Sequence, residues 1–190
     1  MLNTLDHVRA DIEGRITRAA RDRRSPMHTP VVATADADLR IMVLRHFDRD
    51  SWILRFHTDV RAPKVRLVPC DAPVGVLFYD QPGKLQIRCT GRGRIESNGP
   101  AADAAWASSD NYARRCYLGD GPGAASDAPT SGLPPELEGM KPSDEQLVPA
   151  RENFAVLLVE IEQADWFSLD QAGHRRAIIE RDGGGRWIAP

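Results

Sequence analysis

The stretch Leu39-Arg40-Ile41-Met42-Val43-Leu44-Arg45-His46-Phe47 is an apolar run that holds two arginines five residues apart. It lies between two polar turns, Asp36-Ala37-Asp38 and Asp48-Arg49-Asp50-Ser51. Another apolar segment, 31–34, precedes the first turn, and a third, 52–58, follows the second. Short strands that are joined by tight polar turns predict an antiparallel meander rather than a parallel sheet.

The same pattern continues on both sides of this meander. Apolar residues recur every three or four positions from Leu5 to Ala19, which predicts an amphipathic helix over about 4–24 with Asn3 or Thr4 as its N-cap. In 84–95, Gly91 and Gly93 allow the bend or bulge that a barrel needs. Residues 119–150 are rich in proline and predict one long irregular loop. The further predicted strands are 74–79, 84–95, 153–162, 165–169, 174–180 and a last one at Trp187.

We therefore expect a single domain over 1–190 that is mainly β with flanking helices, of the α+β class. Seven or eight short strands without strand–helix alternation favour a closed antiparallel barrel. Short helices are expected at 63–67 and around Trp106 and Tyr112. No glycine-rich G-x-G-x-x-G turn follows a strand and opens a helix, so a dinucleotide-binding parallel fold is not expected.

Composition excludes several function classes. The net charge is −2, which argues against binding to a nucleic-acid backbone. The three cysteines, Cys70, Cys89 and Cys116, include no C-x-x-C pair, so we expect neither a disulfide framework nor a metal site. The sequence contains no signal-peptide core and no run of about 20 apolar residues, so we expect no membrane partner and a cytoplasmic location.

Four motifs in this order resemble the pyridoxamine 5'-phosphate oxidase family. They are the segment from Arg40 to Arg45, a strand ending in His57-Thr58, Lys64 six residues after that threonine, and the Gln86-Ile87-Arg88 strand. Trp166, the Gly173-His174-Arg175-Arg176 segment, Trp187 and the final Pro190 are similar to the family's C-terminal pattern, in the form of its FMN-binding branch. The resemblance covers residues 25–190.

The resemblance implies a split antiparallel β-barrel of the FMN-binding type that forms a homodimer, with one FMN at each end of the subunit interface. It implies a flavin-dependent oxidoreductase with a small-molecule substrate that the sequence does not identify, and it assigns no catalytic residue. The cofactor-binding positions it implies are Arg40, Ile41, Met42, Val43, Leu44, Arg45, His57, Thr58, Lys64, Gln86, Trp166 and Arg176.

Each of these residue types suits one part of the cofactor. Arg40, Thr58 and Lys64 provide the cations and hydroxyl that a phosphate dianion prefers, and an amide such as Gln86 can both donate to and accept from the flavin's pyrimidine edge. Residues 41–44 would give the ring backbone hydrogen bonds and an apolar wall. Arg45 stands where the vitamin B6 oxidases have lysine, and a cation at that place would stabilise the reduced ring.

The C-terminal positions and several alternatives stay open. Trp166 and Arg176 would reach the flavin from the other subunit, or they serve as a core aromatic and an exposed strand cation. The protein could also be a non-catalytic flavin-binding or storage module. A third alternative is a haem-binding barrel, in which one of four histidines would ligate iron. Those histidines are His28, His46, His57 and His174.

At two positions the sequence lacks a side chain that the family uses to bind its cofactor or its vitamin B6 substrate. Ala62 replaces a serine whose hydroxyl contacts the cofactor, and Ala172 replaces the arginine that holds the vitamin B6 substrate. The family's tyrosine, arginine and serine that grip the substrate phosphate have no clear equivalents in 112–123. We therefore expect FMN to be retained and pyridoxamine 5'-phosphate to be oxidised very slowly or not at all.

Overall fold

Nine antiparallel strands form the body of the protein, which is described for residues 3–190 by a computed structural model. The strands are β1 (Val31–Ala33), β2 (Leu39–Ile41), β3 (Leu44–Asp48), β4 (Ile53–Asp59), β5 (Ala72–Asp80), β6 (Leu85–Glu96), β7 (Phe154–Ser168), β8 (Arg175–Glu180) and β9 (Gly185–Ile188). Six of them, β1, β4, β5, β6, β8 and β9, lie close to expected strands, because the apolar runs are separated by turns that contain aspartate or glycine.

The order of the strands shows where the barrel is split. The sheet runs β2-β1-β5-β6-β7-β4-β3, and β8 and β9 extend from β7. The two end strands, β2 and β3, are separated in sequence only by Met42 and Val43, so the sheet curls until its ends meet. Residues 39–47 were expected to form one strand of a closed barrel. This expectation was wrong, because the chain leaves one sheet edge and joins the other at Met42 and Val43.

Helix α1 (Leu5–Arg21) covers one side of the barrel. Its N-cap is Thr4, whose hydroxyl accepts a hydrogen bond from the backbone N–H of His7. Its apolar stripe packs against β3, β7 and β8 and is buried, as the spacing predicted. The helix ends three residues earlier than expected, because Asp22 is an extended C-cap and a short 3-10 turn begins at Pro26.

A bulge between β6 and β7 depends on Gly91. The register of the two strands shifts between Thr90 and Gly91, which confirms the expected irregularity. A Cβ atom at Gly91 would lie 1.9 Å from the carbonyl oxygen of Glu160, so only glycine fits. Strand β7 continues without a break through 154–168, where we had expected two separate strands.

A second, smaller core lies on the outer side of β4 and β7. Helix α2 (Pro100–Ala107) packs there on Phe154, Val156 and Leu158, and α3 (Asn111–Arg114) follows it. The segment 119–150 is irregular apart from two short 3-10 turns, as predicted. Within residues 3–190, no helix combines the length and apolar character needed to cross a bilayer.

Candidate functional site

Arg40 and Lys64 lie near enough for the charge of Arg40 to act on Lys64. Arg40 is on β2, and its guanidinium donates to the hydroxyl of Thr34 at 3.0 Å and forms an ion pair with Asp38. Lys64 is in the 3-10 turn Pro63–Leu67 and is half-buried. Within residues 3–190 the Lys64 ammonium has no carboxylate within 4 Å, unlike most half-buried cations of the chain.

The pKa of Lys64 records this proximity. Burial lowers it first, and the positive charge of Arg40 lowers it further, although Asp59 and Asp38 act in the opposite direction. Two cations that disfavour each other's charge in the free protein are relieved by an anion that binds both. Arg40 and Lys64 therefore form a pair that is suited to a phosphate group.

Thr58 and its neighbour Asp59 border this pair. Thr58 ends the buried face of β4 and is 4 % exposed, and its hydroxyl donates to the carbonyl oxygen of Asp59 at 3.4 Å. The carboxylate of Asp59 forms an ion pair with Arg61, whose guanidinium donates to its two oxygens at 2.9 and 2.7 Å. In this structure the hydroxyl of Thr58 is thus turned to the backbone, and its contact with a phosphate stays a prediction.

The segment from Ile41 to Leu44 crosses the split with alternating exposure. Ile41 is 69 % exposed, whereas Met42 and Leu44 are buried in the main core. The backbone N–H of Met42 donates to the carbonyl oxygen of Pro30 at 3.0 Å, and Val43 is half-buried. This segment offers an apolar surface and a backbone that no neighbouring strand covers on its outer edge.

Gln86 and Arg176 belong to a separate group on the outer face of the sheet. The register places Gln86 of β6 opposite Phe167 of β7, and Phe167 opposite Arg176 of β8. Arg176 binds both carboxylate oxygens of Asp165, at 3.0 and 2.8 Å. Burial acts to raise the pKa of Asp165, but hydrogen bonds from Arg176 and Arg88 outweigh it and lower the pKa.

Trp166 occupies a different place from Arg176. Its side chain is 4 % exposed and points to the core under α1. The indole N–H donates to the carboxylate of Asp11 at 2.9 Å, which fixes α1 on β7. The structure thus gives Trp166 the core position that the sequence left open as an alternative, and a contact with a partner's flavin stays a prediction.

Arg45 and His57 face a second cleft rather than the Arg40–Lys64 pair. The positive charges of Arg45 and Arg55 act on His57, whose pKa falls to about 3 chiefly because of burial. The pKa of Arg55 is also lowered by burial. Arg55 was not expected from the sequence as a site residue, because alternation on β4 predicts a solvated position until α2 and α3 are known to lie beside it.

Not all of the predicted cofactor positions are therefore neighbours within one chain. Arg40, Lys64 and the 41–44 segment lie together, Gln86 and Arg176 share the outer sheet face, and Trp166 lies beneath α1. Ala172 is in the exposed turn between β7 and β8. No cluster of three metal-ligating side chains occurs among residues 3–190.

The chain was compared with known proteins at three levels. No protein-family model and no curated protein sequence matches it. Among solved structures, a pyridoxamine 5'-phosphate oxidase-related, FMN-binding protein from Nostoc punctiforme superposes with a TM-score of 0.74 at 20 % identity, with complete coverage of both chains.

Two further structures show the same architecture. PhzG from Burkholderia lata, in complex with tetrahydrophenazine-1-carboxylic acid, has a TM-score of 0.61 at 15 % identity over 98 % of this chain and 90 % of its own. A general stress FMN/FAD-binding protein from Xanthomonas citri has 0.54 at 13 % identity over 85 % and 92 %. The open strand order, the flanking helices and these superpositions agree: this chain has the split-barrel fold of the FMN-binding proteins related to pyridoxamine 5'-phosphate oxidase.

Proposed function

We propose that this protein binds FMN and uses it as a flavin-dependent oxidoreductase on a small molecule. The observation that carries the proposal is the Arg40–Lys64 pair, in which a half-buried lysine has no carboxylate partner among residues 3–190 and lies beside a second cation. Such a pair is stabilised by a dianion. FMN differs from riboflavin by one phosphate, and its ring supplies the hydride or electron chemistry when bound.

Residues near the pair, together with Gln86 from the separate group on the outer sheet face, suit the rest of the cofactor. The exposed side chain of Ile41 and the backbone of 41–44 would hold the ring along the split, and Gln86 would pair with its polar edge. Arg40 keeps an unused donor, because its guanidinium has five N–H groups and the contacts to Thr34, Val32 and Asp38 use its two terminal nitrogens. The fit requires that Asp38, which is half-buried and ion-paired with Arg40, give way.

The outer face of the sheet supports a homodimer. Leu39 and Ile41 on β2 are 61 and 69 % exposed, and Tyr79 on β5 is 47 % exposed on the same face. Contiguous apolar side chains on one sheet face are typical of a surface that another molecule covers. A second copy in a symmetric pair would cover this face and bring its own Arg176 toward the flavin.

A small-molecule substrate is supported by PhzG, which has this fold and is in complex with tetrahydrophenazine-1-carboxylic acid. A non-catalytic flavin-binding module would use the same Arg40–Lys64 pair. The two functions differ in whether a reductant and a substrate turn over the bound flavin.

The first experiment measures which flavin binds. FMN and riboflavin are titrated into the flavin-free protein and quenching of flavin fluorescence is followed. Charge-assisted hydrogen bonds to phosphate contribute roughly 1.5–3 kcal/mol each, so FMN should bind at least about tenfold more tightly than riboflavin. Equal affinities would exclude the phosphate site. Reduction of the bound flavin by NADH or NADPH, followed by reoxidation with substrate, would then separate an enzyme from a storage module.

A second experiment tests whether two subunits share each site. A Lys64→Ala chain is mixed with an Arg176→Ala chain, and the heterodimer is isolated with two different tags. If each flavin contacts Lys64 of one chain and Arg176 of the other, one site carries both changes and the second carries neither. The heterodimer should then bind one FMN with native affinity. Weak binding at both sites would exclude the shared site.

A further inference from the structure

One buried carboxylate on the outer face of the sheet binds two arginines, of which the proposed function uses only one. Asp165 on β7 is buried, whereas Arg176 on β8 is half-buried and Arg88 on β6 is exposed. The buried carboxylate therefore holds two guanidinium groups that reach the surface. We call these three residues the Asp165 cluster.

The hydrogen bonds of the Asp165 cluster fix the orientation of both arginines. Arg176 donates from Nε to Oδ1 at 3.0 Å and from Nη2 to Oδ2 at 2.8 Å. Arg88 donates to Oδ2 from Nε at 3.1 Å and also from Nη2. A guanidinium that is bound through two nitrogens is held in a defined plane. Nη1 of each arginine takes no part in these contacts with Asp165, so it can donate to a ligand.

The strand register connects the Asp165 cluster to the face that a second copy is proposed to cover. One row of cross-strand pairs runs over four strands through Tyr79, Gln86, Phe167 and Arg176. Tyr79 belongs to the exposed apolar surface, and Arg176 lies three strand spacings away on the same side of the sheet, or about 14 Å. A second copy that covers Tyr79 would therefore meet Arg176 on the same continuous face.

Arg88 decides the net charge of the Asp165 cluster. The pKa of Asp165 is lowered, so its carboxylate is ionised at pH 7. Asp165 and Arg176 alone would cancel each other's charge, whereas Arg88 leaves the cluster with one net positive charge. Among residues 3–190, no other charged side chain forms an ion pair within 4 Å with any of the three. This charge is therefore available to an electron-rich group of a ligand.

We propose that Asp165 and Arg88 are positioning residues for Arg176 in flavin binding. Asp165 sets the orientation of the Arg176 guanidinium, and Arg88 compensates the carboxylate so that a positive charge remains for the flavin of the partner subunit. The inference rests on the proposed function, which brings Arg176 to that flavin. A buried ion pair adds little net stability compared with an apolar pair, so stabilisation of the sheet does not by itself account for the cluster. A side chain that neighbouring hydrogen bonds already hold in place loses less freedom when it binds.

The first test asks whether Asp165 acts through Arg176. FMN affinity is measured by quenching of flavin fluorescence in the wild-type chain, in Asp165→Asn, in Arg176→Ala and in the variant with both changes. Each single change should weaken binding at least about tenfold, because a charge-assisted contact is lost or misdirected. The double variant should bind as weakly as Arg176→Ala, since Asp165 has no effect without Arg176. The matched control is Glu160→Gln, which removes a different ion pair of β7, that with Arg181, and should bind FMN normally.

The second test uses Arg88→Gln, which leaves the Arg176–Asp165 contact in place and decides the question if Asp165→Asn does not fold. Reduced FMN carries more negative charge than oxidised FMN, so loss of a nearby cation weakens its binding more. The variant should bind reduced FMN about tenfold less tightly relative to oxidised FMN, which is a fall of about 30 mV in the two-electron midpoint potential. Arg92→Gln removes the same charge from another exposed position of β6 and should leave the potential unchanged.

The outcomes separate this inference from the proposed function. Native FMN affinity in Asp165→Asn, additive losses in the double variant, or an unchanged potential in Arg88→Gln would each overturn the positioning role even if FMN binds between the subunits. If the wild-type protein binds no flavin, the proposed function is wrong, and if Arg176→Ala binds FMN normally, its shared site is wrong. In either of these cases the inference falls as well.

Discussion

The replacement Lys64→Ala should have opposite effects on FMN binding and on the stability of the flavin-free protein. Lys64 has no ion pair to lose among residues 3–190, and it lies next to the positive charge of Arg40. Its removal should therefore leave the free energy of unfolding unchanged or slightly higher. With FMN, the same change removes a charge-assisted contact of roughly 1.5–3 kcal/mol, which corresponds to about a 10- to 100-fold loss of affinity.

The assay compares FMN with riboflavin in three proteins. The wild-type chain, Lys64→Ala and Arg66→Ala are titrated with both flavins, and their flavin-free forms are unfolded with urea. Arg66 is an exposed cation in the same 3-10 turn, so it controls for the general charge of the turn. Only Lys64→Ala should lose the preference for FMN. A fall in stability of more than about 2 kcal/mol, or equal losses for both flavins, would show that Lys64 is structural.

The pH dependence of binding adds an independent measurement on the same residue. The pKa of Lys64 is lowered in the free protein, so the native state holds this proton less tightly than the unfolded chain does. Phosphate favours the charged ammonium and should restore the proton. FMN affinity should therefore decrease as the pH rises toward the ordinary lysine value of about 10.4, and riboflavin affinity should not.

Three further predictions concern the rest of the chain. Gly91→Ala should lower the free energy of unfolding by about 3 kcal/mol, whereas Gly14→Ala, at an open exposed position in α1, should raise it by up to about 1 kcal/mol; equal effects in urea unfolding would contradict the bulge. Because the pKa of His57 falls to about 3, stability should decrease from pH 6.5 toward pH 3 by at most about 1.4 kcal/mol per pH unit, and His57→Phe should reduce this slope. Trp166→Phe removes the 2.9 Å hydrogen bond to Asp11 and should destabilise the flavin-free protein by about 1–3 kcal/mol, as thermal unfolding would show.

The sequence predicted the strands well because their signals are local. The turns at Asp36-Ala37-Asp38 and 48–51, and the continuous apolar run of 74–79, need no knowledge of distant contacts. The break at Met42 and Val43 was missed because the residues from 39 to 47 are uniformly compatible with a strand. The segment changes sheet edges because 39–41 pair with β1, whereas 44–48 pair with β4. These pairings depend on the fold of the whole sheet and leave no signal within 39–47.

The candidate site could also be predicted only in part, because contacts between distant parts of the chain decide where some of its residues lie. Arg40 and Lys64 were implied by the resemblance, but the position of Arg55 depends on α2 and α3, which come much later in the chain. For Trp166, the residue type suits two different roles, and the sequence does not choose between them. A tryptophan with a polar N–H satisfies a buried hydrogen bond as readily as it contacts a ligand, and the position of Asp11 on α1 decides which it does in the free chain.

The split of the barrel links the fold to the proposed flavin site. Strands β2 and β3 are the two edges of the sheet, and edge strands leave backbone groups that a neighbouring chain can pair with. A closed barrel would remove these edges, but it would also remove the gap between them. Here one short connection crosses the gap with a cation at each end, Arg40 and Arg45. A flavin ring along this connection would cover the exposed edge, place its phosphate at Arg40 and leave Arg45 facing the second cleft beside His57. The split would then be retained because the ligands, and a second copy over the exposed Ile41, cover what the sheet leaves open.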